Sequence, residues 1–154
     1  MQTTKSLPRL LAYAIVAALA VGTGAAAAAQ DAAYRTSHGI AAYLGVMPAQ
    51  ILKGHRDMHG GAPKGSRQYH VVAALFDAAT AARITDANVT ATVAPLGLAG
   101  ETKALEPMRI DDVLTYGNFF EMRAGDRYTI RLEVLQRGAA SPVVLEFAYD
   151  QRVP

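Results

Sequence analysis

The feature that most constrains this chain is the recurrence of apolar residues at every second position in two segments near its C-terminus. In residues 128–134 the even positions are apolar, and in residues 143–149 the odd positions are apolar. An apolar residue at every second position is typical of a β-strand that buries one face. The short turn between the two segments predicts a hairpin in which Tyr128, Ile130, Leu132 and Val134 share a buried face with Val143, Leu145, Phe147 and Tyr149.

Five further segments complete a predicted set of about seven short strands. Residues 69–76 are apolar at nearly every position except His70, which predicts a central strand buried on both faces. Residues 88–93 alternate again, and weaker candidates cover residues 40–46, 104–110 and 113–122. Glycine- and proline-containing turns separate these segments. The pattern predicts an all-β fold, an antiparallel immunoglobulin-like sandwich.

Two details of this sandwich follow from local turn chemistry. Gly125 precedes Tyr128 at the start of a strand, in the pattern of a tyrosine corner, whose hydroxyl bonds back across the turn. Tyr116, Gly117 and Asn118 predict a tight turn, because glycine and asparagine readily adopt left-handed backbone angles.

The N-terminus has the three parts of a secretory signal peptide. Lys5 and Arg9 precede an apolar run at residues 10–21, and small residues follow at 22–29. We predict a signal peptide at residues 1–29, cleaved before Gln30, and one mature sandwich domain at residues 30–154. The apolar run is shorter than the roughly 20 residues that a membrane span needs. An uncleaved anchor that extends through the small residues is the alternative, but cleavage and a periplasmic location are the preferred interpretation.

Composition excludes several classes of function. The 154 residues contain no cysteine, which excludes disulfides, thiolate zinc sites, iron–sulfur clusters and a cysteine nucleophile. Removal of Lys5 and Arg9 leaves 13 basic and 13 acidic residues, so the mature chain lacks the excess positive charge expected for nucleic-acid binding. No nucleophile elbow, phosphate loop or dinucleotide fingerprint occurs, and the chain is therefore predicted not to be an enzyme.

The histidines indicate where metal chemistry would lie. All four, His38, His55, His59 and His70, fall between residues 38 and 70, and Met58 lies between the middle pair. Imidazole and thioether without thiol suit copper, and the soft thioether favours Cu(I). The alternative for His55 and His59 is a solvated polar loop, and for His70 it is a structural histidine hydrogen-bonded to backbone. Met108 and Met122 either face the same end of the sandwich or fill gaps in the core.

These segments together resemble a known family, the periplasmic immunoglobulin-like proteins associated with bacterial high-affinity iron uptake, which bind copper and iron. The similar stretches cover most of the mature chain: Tyr43-Leu44 with Met47-Pro48, residues 69–74, Pro107-Met108 followed by Tyr116-Gly117-Asn118, and residues 125–128. The resemblance implies that His70 and Met108 are metal ligands and that a homodimer is one expected assembly.

The sequence also departs from the family pattern. The family's glutamate after the strand histidine falls on Val72, its histidine before Tyr-Gly falls on Thr115, and its late histidine loop has no counterpart in residues 137–142. At most half of the family's site is therefore retained, unless His55 and His59 replace the missing ligands.

We therefore expect a periplasmic metal-binding or metal-delivery protein, with copper as the first candidate ion and iron as the second. The expected ligands are His70, Met108, His55, His59 and Met58. Its partner would be the metal ion and an envelope transport protein, with no nucleic acid and no stable membrane insertion after cleavage. The alternative is a metal-free envelope β-sandwich that acts as a protein-interaction module.

Overall fold

Alternating burial organises this chain into strands. A computed structural model describes residues 32–52, 63–110 and 112–151. A short 3-10 helix, Ala49–Leu52, is present between the second and third strands. The eight strands are β1 Tyr34–Ser37, β2 Ile40–Pro48, β3 Gln68–Asp77, β4 Ala87–Pro95, β5 Glu101–Ile110, β6 Val113–Glu121, β7 Arg127–Gln136 and β8 Val143–Asp150. All seven predicted strands are present.

The strands form a single antiparallel sheet in the order β1-β2-β3-β6-β5-β4-β7-β8. Strand β5 changes partner along its length: it pairs with β4 as far as Leu105 and with β6 from Glu106 onward. β5 is therefore the corner strand between a first half-sheet (β1, β2, β3, β6 and the end of β5) and a second half-sheet (the start of β5, β4, β7 and β8). Strands β1 and β8, at opposite ends of the order, contact each other. The all-β antiparallel sandwich predicted from the sequence is thus confirmed.

The main core lies between the two half-sheets, and the β7–β8 hairpin supplies much of it. Leu132 pairs with Leu145 and Ile130 with Phe147, which places the apolar residues of both strands on one face, as the alternation predicts. All four of these side chains are buried in the main core. The predicted hairpin face is present, and the structure places Tyr128 opposite Tyr149 and Val134 opposite Val143 at its two ends.

Strand β1 was not predicted from the sequence. It has four residues, and its burial does not alternate, so it carries no period-two signal. Its place is fixed by a tight turn at His38 and Gly39, which have φ angles of 44° and 80°, and by pairing with β2. The fold therefore has eight strands where about seven were expected.

The tyrosine corner is present as predicted. Gly125 has a φ of 85°, which glycine adopts without steric cost. The turn brings Tyr128 back toward the preceding segment, where the Arg123 backbone N–H donates to its hydroxyl oxygen at 2.6 Å. Tyr128 itself is buried in the main core.

Among residues 32–52, 63–110 and 112–151, no helix has the length and the apolar character that crossing a membrane requires.

Candidate metal site

His70 lies on the outer face of the first half-sheet. Successive residues of a strand point to opposite faces, and on β3 Tyr69 and Val71 point into the main core. His70 therefore points away from the main core, yet it is 0% exposed. A fully buried histidine on the outside of a sheet indicates a second, smaller packed region on this face.

That region is an apolar cluster formed by the 3-10 helix and two strands. His70 lies between Met47 of β2 and Phe119 of β6 in the strand register. Its ring packs on Phe119, with 4.7 Å between the ring centroids and an interplanar angle of 35°. Phe119 in turn packs with Ala49 and Leu52 of the 3-10 helix, and Met47 contacts the same group. The imidazole is therefore held on a rigid strand in largely apolar surroundings.

Gly117 brings His70 and Met108 together. A β-carbon added to Gly117 would lie 2.7 Å from His70 Nε2 and 3.0 Å from Met108 Sδ. The nitrogen and the sulfur therefore lie no further apart than the sum of these two distances. Two of the predicted ligands therefore lie beside the same glycine, and their binding of a metal stays a prediction.

The prediction of a tight turn at residues 116–118 is wrong. All three residues lie within β6, and the φ of Gly117 is not in the left-handed region. Glycine is needed here for space, because even one methyl group would collide with the imidazole and the thioether. Local sequence could not show this, because the two crowding side chains come from β3 and β5.

Met108 is buried, with 8% of its surface exposed, and pairs with Thr115 of β6. The Thr115 hydroxyl donates to the Met108 backbone oxygen at 3.4 Å. Thr115 and Val72 are the two strand positions at which the sequence departs from the family pattern that it resembles. Neither provides an imidazole or a carboxylate here. Within the described residues, no three histidine, cysteine, aspartate or glutamate side chains form a metal-binding group.

The remaining predicted ligands, His55, Met58 and His59, lie outside the described residues. Their role stays a prediction. The chain leaves the described part at Leu52, which belongs to the cluster beside His70.

Two other candidate residues lie elsewhere. Met122 is 0% exposed in the main core and fills space there. His38 is exposed in the β1–β2 turn, where its Nδ1 lies 2.9 Å from the Ser37 hydroxyl. Of the described candidates, only His70 and Met108 belong to the outer-face site.

Comparison with known proteins supports the fold assignment. No protein-family model matches the chain, and no curated protein sequence matches it. Among solved structures, a copper-bound variant of FetP from uropathogenic Escherichia coli is similar with a TM-score of 0.59 and 13% identity, over 77% of this chain and 93% of that one. The copper-reconstituted P19 protein of Campylobacter jejuni is similar with a TM-score of 0.58 and 11% identity, over 79% and 94%.

A third similar structure belongs to a differently named group. A DUF4426 family protein from Pseudomonas aeruginosa matches with a TM-score of 0.56 and 12% identity, over 78% of this chain and 95% of that one. The resemblance noted in the sequence is therefore confirmed at the level of the fold, which FetP and P19 share with this chain.

Proposed function

We propose that this protein binds copper at the outer-face site and delivers it as a carrier in the periplasm. The observation that supports this most directly is the convergence of His70 Nε2 and Met108 Sδ over the backbone of Gly117. Both side chains are buried, and both lie on strands of the same half-sheet. Sites built on strands hold ligand geometry more accurately than sites built on loops.

The chemistry of these two donors fits copper. An imidazole nitrogen is a good ligand for copper, zinc, iron and nickel, whereas a thioether is soft and selects Cu(I). The apolar surroundings of Phe119 and Leu52 suit a site that excludes water. Copper is therefore the first candidate ion and iron the second.

His55, Met58 and His59 would complete the coordination from the segment that follows the 3-10 helix. The chain enters this segment from Leu52, in the cluster that contains Phe119, the ring partner of His70. The last described residue before this segment therefore lies beside the site. In this proposal, the Gly60-Gly61 pair would allow the segment to fold over an ion.

The cellular location and the carrier role form part of the proposal. Lys5, Arg9 and the apolar and small residues that follow support export, with a mature chain from Gln30. The copper in the structures of FetP and P19, which share this fold, supports copper as the ion, and exchange of that ion with an envelope transport partner is part of the proposal.

The proposal is tested by measuring the metal content of untagged protein purified from periplasm, followed by Cu(I) titration of variants. His70→Ala should weaken Cu(I) binding most, and His55→Ala and His59→Ala less, because His70 is fixed on a strand. His38→Ala is the matched control, since its imidazole lies in a distant turn. Wild-type affinity no better than about a millimolar would be too weak for a carrier and would refute the function.

A second candidate function, a protein-interaction module, is favoured by the character of the outer face. On the first half-sheet, Tyr34, Tyr43 and Phe76 form an aromatic patch. The ring centroids of Tyr34 and Tyr43 are 4.8 Å apart, and those of Tyr43 and Phe76 are 5.7 Å apart. Tyr43 is 52% exposed and Val113 is 41% exposed. The outer face of the second half-sheet is polar by contrast, with Arg131 forming ion pairs with Glu133 and Glu146.

Under this alternative, the apolar outer face binds a protein, and a second copy of the chain is the first candidate. Sedimentation analysis of metal-free protein should then show a dimer that Tyr43→Lys dissociates. An equivalent change on the polar face, Thr92→Lys, should leave the assembly unchanged. A wild type that stays monomeric at all concentrations would contradict pairing through this face.

A further inference from the structure

Glu106 occupies a position at the candidate metal site that the sequence did not indicate. In the strand register Glu106 of β5 lies opposite Gly117 of β6, and Gly117 lies opposite Val72 of β3. Glu106 is also two residues before Met108, so both side chains are on the outer face. His70, Met108 and Glu106 therefore surround the same glycine.

The Glu106 side chain is long enough to reach the point above Gly117 where the His70 and Met108 side chains meet. Directly opposite residues in an antiparallel pair have β-carbon positions about 4.5–5.5 Å apart, which a glutamate side chain can cover. Gly117 has no side chain of its own to stand between Glu106 and the His70 Nε2 atom.

Burial distinguishes the three donors. His70 is 0% exposed and Met108 is 8% exposed, whereas Glu106 is exposed. The nitrogen donor of His70 and the sulfur donor of Met108 are therefore shielded from solvent. The oxygen donor of Glu106 lies at the solvent-exposed edge of the site.

We propose that Glu106 is the oxygen ligand that allows this site to hold Cu(II) in addition to Cu(I). This inference rests on the proposed copper-binding function. Thioether donors select Cu(I), while Cu(II) favours nitrogen and oxygen ligands. His70 serves both states, Met108 favours the reduced ion, and Glu106 favours the oxidised ion. The resemblance places a glutamate at residue 72 of β3, where this chain has Val72. In this proposal Glu106, on β5, supplies the carboxylate instead.

The test compares Glu106→Gln with Glu101→Gln in the full mature chain. Glu101 is an exposed glutamate of the same strand, but its odd position puts it on the other face of β5, where it pairs with Lys103. Both variants remove one negative charge. Cu(II) affinity is measured by chelator competition with electron paramagnetic resonance of the bound ion, and Cu(I) affinity by anaerobic competition with a colorimetric chelator.

We expect Glu106→Gln to weaken Cu(II) binding roughly tenfold or more, to change the Cu(II) spectrum and to leave Cu(I) affinity within about twofold of wild type. Glu101→Gln should match wild type in all three measurements. Unchanged Cu(II) binding in Glu106→Gln would overturn the role of Glu106. If His70→Ala still loses Cu(I) binding in that case, the proposed copper function is unaffected. Equal weakening of both copper states would overturn the selectivity. If wild type binds neither state, the copper function itself fails.

Discussion

The Nε2 atom of His70 and the Sδ atom of Met108 both face the point where a β-carbon of residue 117 would lie, at 2.7 Å and 3.0 Å from it. The two side chains come from β3 and β5, which are separated in the sheet by β6. Their approach therefore depends on the absence of a side chain at Gly117. This dependence makes the glycine the most informative residue to change.

Gly117→Ala should destabilise the fold and impair copper binding together. The added methyl group must displace His70 or Met108, and overpacking of this kind costs about 1–3 kcal/mol. Gly45→Ala is the matched control, because Gly45 lies on the same face two strands away and has no atom within 4 Å of its β-carbon position. Urea unfolding and Cu(I) titration of the two variants measure the effect. Equal stability of the two variants would contradict the close packing of His70 and Met108 against Gly117.

Leu132→Ala should cost about 2–5 kcal/mol of unfolding free energy, the usual range for a buried leucine. Leu132 is 0% exposed and pairs with Leu145 in the centre of the β7–β8 hairpin. Leu96→Ala, at a position that is 66% exposed, should change stability by less than about 0.5 kcal/mol. Denaturant titration of both variants measures the difference in unfolding free energy. If Leu132→Ala costs no more than Leu96→Ala, Leu132 lies outside the core.

Tyr128→Phe should cost about 1 kcal/mol, because it removes the hydroxyl oxygen that accepts from the Arg123 N–H at 2.6 Å. The phenylalanine ring retains the apolar burial, so the loss reports on the hydrogen bond of the tyrosine corner. Tyr43→Phe, on the exposed aromatic patch, is the control and should be neutral. A neutral Tyr128→Phe would mean that water replaces the bond without cost.

Asp77 should titrate below the ordinary value of 3.8, because hydrogen bonds to its charged form lower its pKa. The Thr80 backbone N–H and the Thr80 hydroxyl both donate to Asp77 Oδ1 at 2.8 Å, and Ala79 N–H donates at 3.1 Å. A lowered pKa in the folded state stabilises the fold above the unfolded pKa, and this contribution is lost as pH falls through the folded pKa.

Carboxyl NMR titration measures this pKa directly. Thr80→Ala removes the hydroxyl donor and should move the pKa of Asp77 back toward its ordinary value. A wild-type pKa at or above 3.8 would contradict the hydrogen-bonded turn.

The strands were predictable wherever one face is buried and the other is not. Burial on one face imposes period-two alternation, as in β7 and β8, and this signal predicted that Leu132 and Leu145 share a buried face. Strand β1 has four residues, which are too few for an alternation to be recognised. The turn that joins it to β2 positions it instead.

The site was predictable only in part, because a site depends on register as well as on residue type. His70 was recognisable as a polar interruption in an apolar strand, and Met108 from the family resemblance. Gly117 was assigned to a turn, since glycine beside asparagine is typical of turns. Its real role, and the position of Glu106 opposite it, depend on how β3, β6 and β5 align.

The central claim is that copper is held between His70 and Met108, and X-ray absorption at the copper edge of Cu(I)-loaded mature protein tests it most directly. Met108→Leu removes the sulfur while nearly conserving volume, and Met122→Leu makes the same change in the main core on the opposite face. We predict that Met108→Leu loses one sulfur from the copper coordination shell and retains imidazole scattering, and that Met122→Leu is identical to wild type. An unchanged sulfur shell in Met108→Leu would contradict the claim.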